Sequence, residues 1–191
     1  MKYLFTLFAF VLVSSTLFSQ QNFQSYYSEY FKKDFKIDIS KNNYDDIFFW
    51  INAMSLDAQT KKISIKASDR ELKEFKEFLL SSKSTFAEWR KFALENNVGK
   101  IYKEIVNKRL TLTVGFINKS EWEFSYNAII VSYFVILEGK PPILMIRNNI
   151  DLKSISNEST EGFAIVFSSV DEIDEFVNKL DFIKAKKQLE N

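Results

Sequence analysis

The chain has 191 residues, of which 46% are hydrophobic and 27% charged, and 26 Lys and Arg residues balance 25 Asp and Glu residues. These values are ordinary for a globular protein. The chain contains no histidine and no cysteine. Disulfides, thiolate nucleophiles, imidazole bases and zinc sites built from His or Cys are therefore excluded.

The first 19 residues have the pattern of a secretory signal. Lys2 is followed by the apolar run Tyr3–Val13 and then by Ser14, Ser15, Thr16, Leu17, Phe18 and Ser19. The apolar run is about half of the roughly 20 residues that a bilayer span requires. We expect cleavage after Ser19, with Ser15 as the alternative, and hence a periplasmic or secreted protein without a membrane span once the signal is removed.

Residues 20–191 are predicted to form a single domain. Only four glycines and two prolines occur in the whole chain, and no linker-like stretch divides this part. Removal of Lys2 with the signal leaves 25 basic and 25 acidic residues. Nucleic-acid binders carry a basic excess, because neutralising phosphates supplies much of their affinity, so no nucleic-acid partner is expected.

Aromatic residues open this domain at helical intervals. Phe23, Tyr26, Tyr27, Tyr30 and Phe31 are spaced as on one side of a short amphipathic helix. Such a stripe usually packs on the core, although it could also face a ligand.

Period-two and β-rich patterns predict most of the remaining structure. The runs 47–56 and 61–66 flank the polar segment 57–60, whose length suits a hairpin turn. Residues 110–116 and 122–126 alternate around a turn at 118–120 and predict a second hairpin with one aromatic face. Residues 148–160 are predicted to be a loop. Further strands are expected at 128–137, 143–147 and 162–168.

Three S/T-x-x-E sequences predict helix starts, because the hydroxyl and the Glu of this motif satisfy free backbone amides. They begin at Ser68, Thr85 and Ser169. The first helix should end near Ser82, and the last should continue far enough to turn Ile183 inward.

An internal correspondence relates two of these helices. A shift of 101 residues places 65–75 on 166–176 and aligns Ser68 with Ser169, and Phe75 with Phe176. A duplicated strand–helix unit would explain it, and so would the small number of ways to write a capped helix after a strand. The predicted fold class is α+β, an antiparallel sheet of about five to seven strands with three or four helices packed on it, and the duplication is left open.

Candidate catalytic residues are few. Glu121 and Glu123 alternate onto one strand face about 7 Å apart, a separation that could serve acid–base chemistry on a sugar. The neighbouring rings point to the other face, so a solvated outer face explains the two acids better. Asp45 and Asp46 are better explained by a turn than by calcium binding. No cofactor and no metal site are predicted.

Candidate ligand-binding residues are aromatic. Trp122, Phe124 and Tyr126 share one face of the predicted hairpin, and Tyr133 lies on the following strand. Segment 128–137 is apolar on both faces, so it belongs in a sheet covered on both sides or on a surface completed by a ligand.

We therefore expect an exported, non-catalytic binding or interaction module for an unknown protein or small-molecule ligand. The alternatives are a glycosidase-like carboxylate hydrolase using Glu121 and Glu123, and a carrier of a hydrophobic small molecule. The sequence does not identify the ligand.

Overall fold

The computed structural model describes residues 20–56, 62–118, 121–148 and 162–190. The predicted signal, the turn at 57–60 and most of both the turn at 118–120 and the loop at 148–160 lie outside these ranges. The strands are β1 (Gln21–Ser28), β2 (Lys33–Lys41), β3 (Ile47–Ser55), β4 (Ile63–Ala67), β5 (Ile101–Asn118), β6 (Glu121–Ile136), β7 (Ile143–Asn148) and β8 (Phe163–Phe167), and the helices are α1 (Asp69–Glu95), α2 (Val170–Lys179) and α3 (Phe182–Leu189).

The strands form one antiparallel sheet in chain order, and its ends meet. Strand β3 pairs with β4 and also with β8, where Met54 lies opposite Ala164 and Ser55 opposite Phe163. Strands β3 to β8 therefore close a six-stranded barrel, and β1 and β2 extend the sheet from β3. The prediction of an α+β sheet with three or four helices is wrong: the protein is mostly β, with one long helix and a short C-terminal helical segment in two pieces.

Alternation along the strands gives the sheet two different faces. One face, which we call the helix-covered face, contacts α1 and α2 and holds the main apolar core. The side chains at the alternate positions of each strand point to the other side of the sheet, which we call the opposite face. Removing this much apolar surface from water supplies the main force for folding. The largest fully buried side chains include Phe49, Phe75, Phe86, Phe134, Phe163, Phe167 and Phe176.

Helix α1 unites two helices that were predicted separately. Its capping box is formed as expected, since the Ser68 hydroxyl accepts from the Glu71 amide and the Glu71 carboxylate accepts from the Ser68 amide. Thr85 does not start a helix, and the predicted end near Ser82 is wrong. The Ser82 hydroxyl donates to the Phe78 carbonyl and lies 3.0 Å from the Ser132 hydroxyl, so this buried polar side chain is satisfied within a continuous helix.

The C-terminal helix breaks where a single helix was predicted. Ser169 caps α2 as expected, but α2 gives way at Leu180 and Asp181 caps α3 by accepting from the Lys184 amide. After this break Ile183 is exposed and does not face the core.

The predicted N-terminal helix is a strand. In β1 the inward side chains are Tyr26 and Ser28, and β1 pairs with β2, an element that the sequence patterns did not reveal. An irregular register between Asn22 and Gln24 interrupts the period of two. Phe23 and Tyr26 therefore both pack on the core although they are three residues apart, whereas Tyr27 and Tyr30 are exposed.

The two strand–helix units related by the 101-residue shift pack in similar ways. Strands β4 and β8 are both antiparallel to β3, and each leads directly into a capped helix. Phe75 and Phe176 are both buried and meet edge to face, with ring centroids 6.4 Å apart. The two units are thus similar in structure as well as in sequence. A duplicated unit and the small number of ways to write a capped helix after a strand both explain this similarity.

Candidate binding site

A groove of about 510 Å³ lies between the last turns of α1 and the first residues of β5. Binding sites for small molecules in proteins commonly have volumes of about 300 to 1,000 Å³ and mainly apolar walls. The apolar lining consists of Trp89, Phe92, Ala93, Val98, Ile101 and Phe134, and the charged lining of Glu88, Lys91, Glu95 and Lys103.

The end of α1 creates one wall of this groove. The Asn96 amide donates to the Phe92 carbonyl, and the Val98 amide donates to the Ala93 carbonyl at 3.0 Å. Asn97 between them has a positive φ of 49°, a conformation that asparagine tolerates. The chain therefore reverses at once and brings Val98 back beside the helix.

Strands β5 and β6 form the facing wall. Phe134 of β6 packs against Phe86 and Trp89, with the Trp89 ring nearly perpendicular at 5.8 Å between centroids. Lys103 of β5 places its Nζ 4.2 Å from the centre of the Trp89 ring. The rings that line the groove are thus held in place by buried neighbours before any ligand arrives.

The groove offers apolar contact and little reactive chemistry. Lys91 and Glu95 lie 4.0 Å apart as an exposed ion pair. Within residues 20–56, 62–118, 121–148 and 162–190, no group of three or more Asp, Glu, His or Cys side chains could hold a metal ion. What this arrangement can do is enclose an apolar ligand.

The predicted ligand-binding residues Trp122 and Phe124 lie elsewhere, on the opposite face of the sheet. We call the set Phe48, Trp50, Lys62, Lys66, Trp122 and Phe124 the aromatic–lysine cluster. The Trp122 and Phe124 rings are nearly parallel, with centroids 6.1 Å apart, and Trp50 lies within 5.3 and 6.0 Å of them.

A glycine makes this cluster possible. A Cβ on Gly115 would lie 3.0 Å from Phe124 Cε1 and 3.1 Å from Trp122 Cε3. Because Gly115 has no side chain, the Trp122 and Phe124 rings of β6 can lie over β5 and contact Trp50 of β3.

Hydrogen bonds among side chains of the sheet on which the rings lie stabilise the cluster. Trp50 Nε1 donates to the Ser40 hydroxyl at 2.8 Å. Nearby, Asn52 donates to the buried Asp38 carboxylate and accepts from the Ser64 hydroxyl, while Lys62 Nζ lies 3.6 Å from Asp38. Each of these buried polar groups has a partner, so the network holds the sheet in register under the rings.

Two further predicted ligand-binding residues, Tyr126 and Tyr133, are separated. Tyr126 is 72% exposed beside Phe124, with centroids 6.2 Å apart. Tyr133 packs instead on Tyr102 at 4.7 Å, and Arg147 approaches the Tyr102 hydroxyl. Burial raises the pKa of Tyr133 above its usual value. The four aromatic candidates therefore do not form one site.

The predicted catalytic residues Glu121 and Glu123 are both exposed. Neither lines the groove. Both carboxylates therefore lie at the exposed surface, away from the groove. On the two-sided segment 128–137, Phe134 packs toward α1, whereas Val135 packs with Ile143, Ala164 and Val166 on the opposite face.

Trp89 and Phe92 were not identified as ligand-binding residues from the sequence. Phe92 is 62% exposed. The spacing along α1 is the signal that could have located the wall of the groove. The facing wall depends on where β5 and β6 return in space, which local patterns do not reveal.

A half-buried acid outside both regions has a structural role. Glu172 accepts from the Ser168 amide at 2.6 Å and from the Glu29 amide at 3.1 Å, and so ties the end of β1 to the start of α2. Burial raises the pKa of Glu172, and that of the fully buried Tyr26 nearby.

Comparison with known proteins supplies no further assignment. No family model matches the sequence, and no curated protein or solved structure matches it. In the part of the chain that the structure describes, no helix combines the length and apolar character needed to cross a membrane.

Proposed function

We propose that this protein is a non-catalytic binding protein that holds an apolar small molecule in the groove between α1 and β5. The observation that carries the proposal is the groove itself, a concave and mainly apolar space of about 510 Å³. Its volume lies in the range of small-molecule sites, and its lining is mainly apolar.

Exposed apolar surface at the groove supports this proposal. Phe92 is 62% exposed at its edge. Covering an apolar side chain of this size contributes about 1.5 to 3 kcal/mol. A ligand that covers Phe92 and contacts Trp89 would gain a large part of its affinity from these two rings.

The experiment compares two aspartate substitutions on the same helix. Phe92→Asp places a charge at the groove, and Leu94→Asp places one on an equally exposed side chain, 54% against 62%, that does not line the groove. Binding of decanol is measured by the change in Trp fluorescence and by calorimetry. We expect Phe92→Asp to weaken binding about tenfold or more, which corresponds to about 1.4 kcal/mol, and Leu94→Asp to leave it nearly unchanged.

Two outcomes would refute the proposal. The first is that the wild-type protein does not bind decanol or a comparable apolar compound. The second is that both variants lose binding equally, which would place the ligand elsewhere. Native mass spectrometry of freshly purified protein adds a direct measurement, since a co-purified apolar compound should be retained by wild type and lost in Phe92→Asp.

We also propose that the protein is exported and that residues 1–19 are removed. The support is the sequence pattern of a charged start, a short apolar run and small residues before Gln20. The intact mass of protein recovered from its native host tests this proposal. A chain starting at Gln20 is expected, a start at Thr16 would indicate the alternative cleavage after Ser15, and retention of Met1 would contradict removal.

A further inference from the structure

The aromatic–lysine cluster has an unusual charge arrangement that the proposed function does not use. Lys66 Nζ lies 4.3, 5.2 and 5.7 Å from the ring centres of Phe48, Trp50 and Phe124. Among the residues that the structure describes, no carboxylate forms an ion pair with it. By contrast, the neighbouring Lys62 pairs with Asp38.

The environment of Lys66 disfavours its charge. Burial lowers the pKa of Lys66 from its usual value, and the more distant Glu71 compensates only in part. The Glu71 carboxylate is itself engaged by the Ser68 amide and hydroxyl. A half-buried ammonium of this kind gains when an anion approaches it.

The neighbouring rings form a row beside this charge. Trp122 and Phe124 are half-buried and their ring planes lie within 14° of parallel, and Tyr126 continues the row at a tilt of 31° to Phe124. All three come from alternate positions of β6 and so point to the same face. The rings of a ligand can stack on such a row while the anionic groups of the same ligand contact Lys66.

We propose that the aromatic–lysine cluster and Tyr126 form a second binding site, which recognises acidic sugars through ring stacking and a carboxylate contact to Lys66. Charge complementarity selects this occupant. A neutral ligand would leave the Lys66 charge only partly compensated by Glu71, and a simple anion would make no use of the parallel rings. The site lies on the opposite face of the sheet and is independent of the groove.

The test uses two ligands that differ only in charge. Oligogalacturonate carries a carboxylate on each sugar ring, and its methyl ester keeps the rings but removes the charges. In calorimetric titrations of the full-length protein we expect the acid to bind about threefold to tenfold more tightly than the ester, as for a partly exposed charge-assisted contact.

Substitutions then separate charge from stacking. Lys66→Met keeps the aliphatic length and should remove the preference for the acid, whereas Trp122→Ala should weaken acid and ester alike. Lys33→Met is the matched control, because Lys33 also lies over a ring, that of Phe35 at 5.4 Å. Lys33 pairs with Ser28 at the start of β2, five positions before Asp38, the residue that pairs with Trp50. Lys33→Met should change neither the affinity for the acid nor the affinity for the ester. Circular dichroism spectra and melting curves establish that each variant is folded.

Several results would overturn this assignment. They are an absence of oligogalacturonate binding, equal binding of acid and ester, a preference for the acid that survives Lys66→Met, or equally tight binding of polyglutamate, which has the charges without the rings. None of these results changes the outcome expected for decanol binding by Phe92→Asp. Each of the two proposals can therefore be refuted independently of the other.

Discussion

The groove and the aromatic–lysine cluster contain similar residues, but they differ in whether the space among those residues is filled. Both contain Trp and Phe rings with a lysine over an indole or phenyl face. In the cluster the rings lie over Gly115 and touch one another, so Trp50 is only 4% exposed. In the groove Phe92 has no ring opposite it and a space remains. Aromatic content alone therefore does not locate a pocket, because the neighbours of the rings decide whether a space is left.

The largest expected effect compares a core ring with a groove ring. Phe176 is 1% exposed and contacts the rings of Tyr26, Phe75 and Phe167. Phe176→Ala should lower the free energy of unfolding by about 3 to 5 kcal/mol, since it leaves a cavity in a packed core. Phe92→Ala removes a mostly exposed ring and should cost under about 1 kcal/mol.

Urea titration of both variants measures this difference. Equal losses would show that Phe92 contributes to the core and does not border an open groove. A nearly neutral effect of Phe176→Ala would contradict the inward assignment of that ring.

The same contrast shows what the sequence could reveal. The S-x-x-E sequence at Ser169 correctly predicted the start of α2. This is a signal within one helix. Closure of the barrel depends on Met54 meeting Ala164, two residues more than a hundred positions apart. No local periodicity encodes that contact, so the α+β prediction could not anticipate a barrel.

Local patterns also failed where tertiary contacts overruled them. The polar residues around Ser82 suggested a helix end, but the contact with Ser132 allows α1 to continue. In β1 the bulge beside Gln24 brings two rings three residues apart onto the core. For the candidate sites, alternation placed Trp122, Phe124 and Tyr126 on one face, but their packing over Gly115 required the pairing of β5 with β6.

A smaller effect is expected when the cluster loses its glycine. In Gly115→Val the new side chain would meet Phe124 and Trp122 at about 3 Å, as their distances to a Cβ at this position indicate. Both rings would have to move outward, and overpacking of this kind typically costs about 1 to 3 kcal/mol. We expect a lower melting temperature and a red-shifted Trp emission, because Trp122 becomes more exposed.

Gly99→Val is the control for this substitution, since no atom lies within 4 Å of a Cβ at Gly99. It should leave the emission unchanged. If Gly115→Val kept both the emission and the melting temperature of wild type, the rings would not depend on the glycine, and the contrast with the groove would lose its physical basis.

The smallest expected effect concerns the protonation of Lys66. Burial lowers its pKa in the folded protein below the usual value of 10.5, so the unfolded chain holds this proton more tightly. Stability attributable to Lys66 should therefore rise as the pH increases through the range between its folded pKa and 10.5. Lys66 is half-buried, so solvent still screens its charge and the change should be small. NMR titration of the lysine Cε signals in folded and urea-unfolded protein measures it directly, with Lys66→Met identifying the signal. A folded pKa equal to or above the unfolded one would contradict the desolvation of Lys66. Bound oligogalacturonate should raise the folded pKa, because an adjacent carboxylate favours the ammonium form.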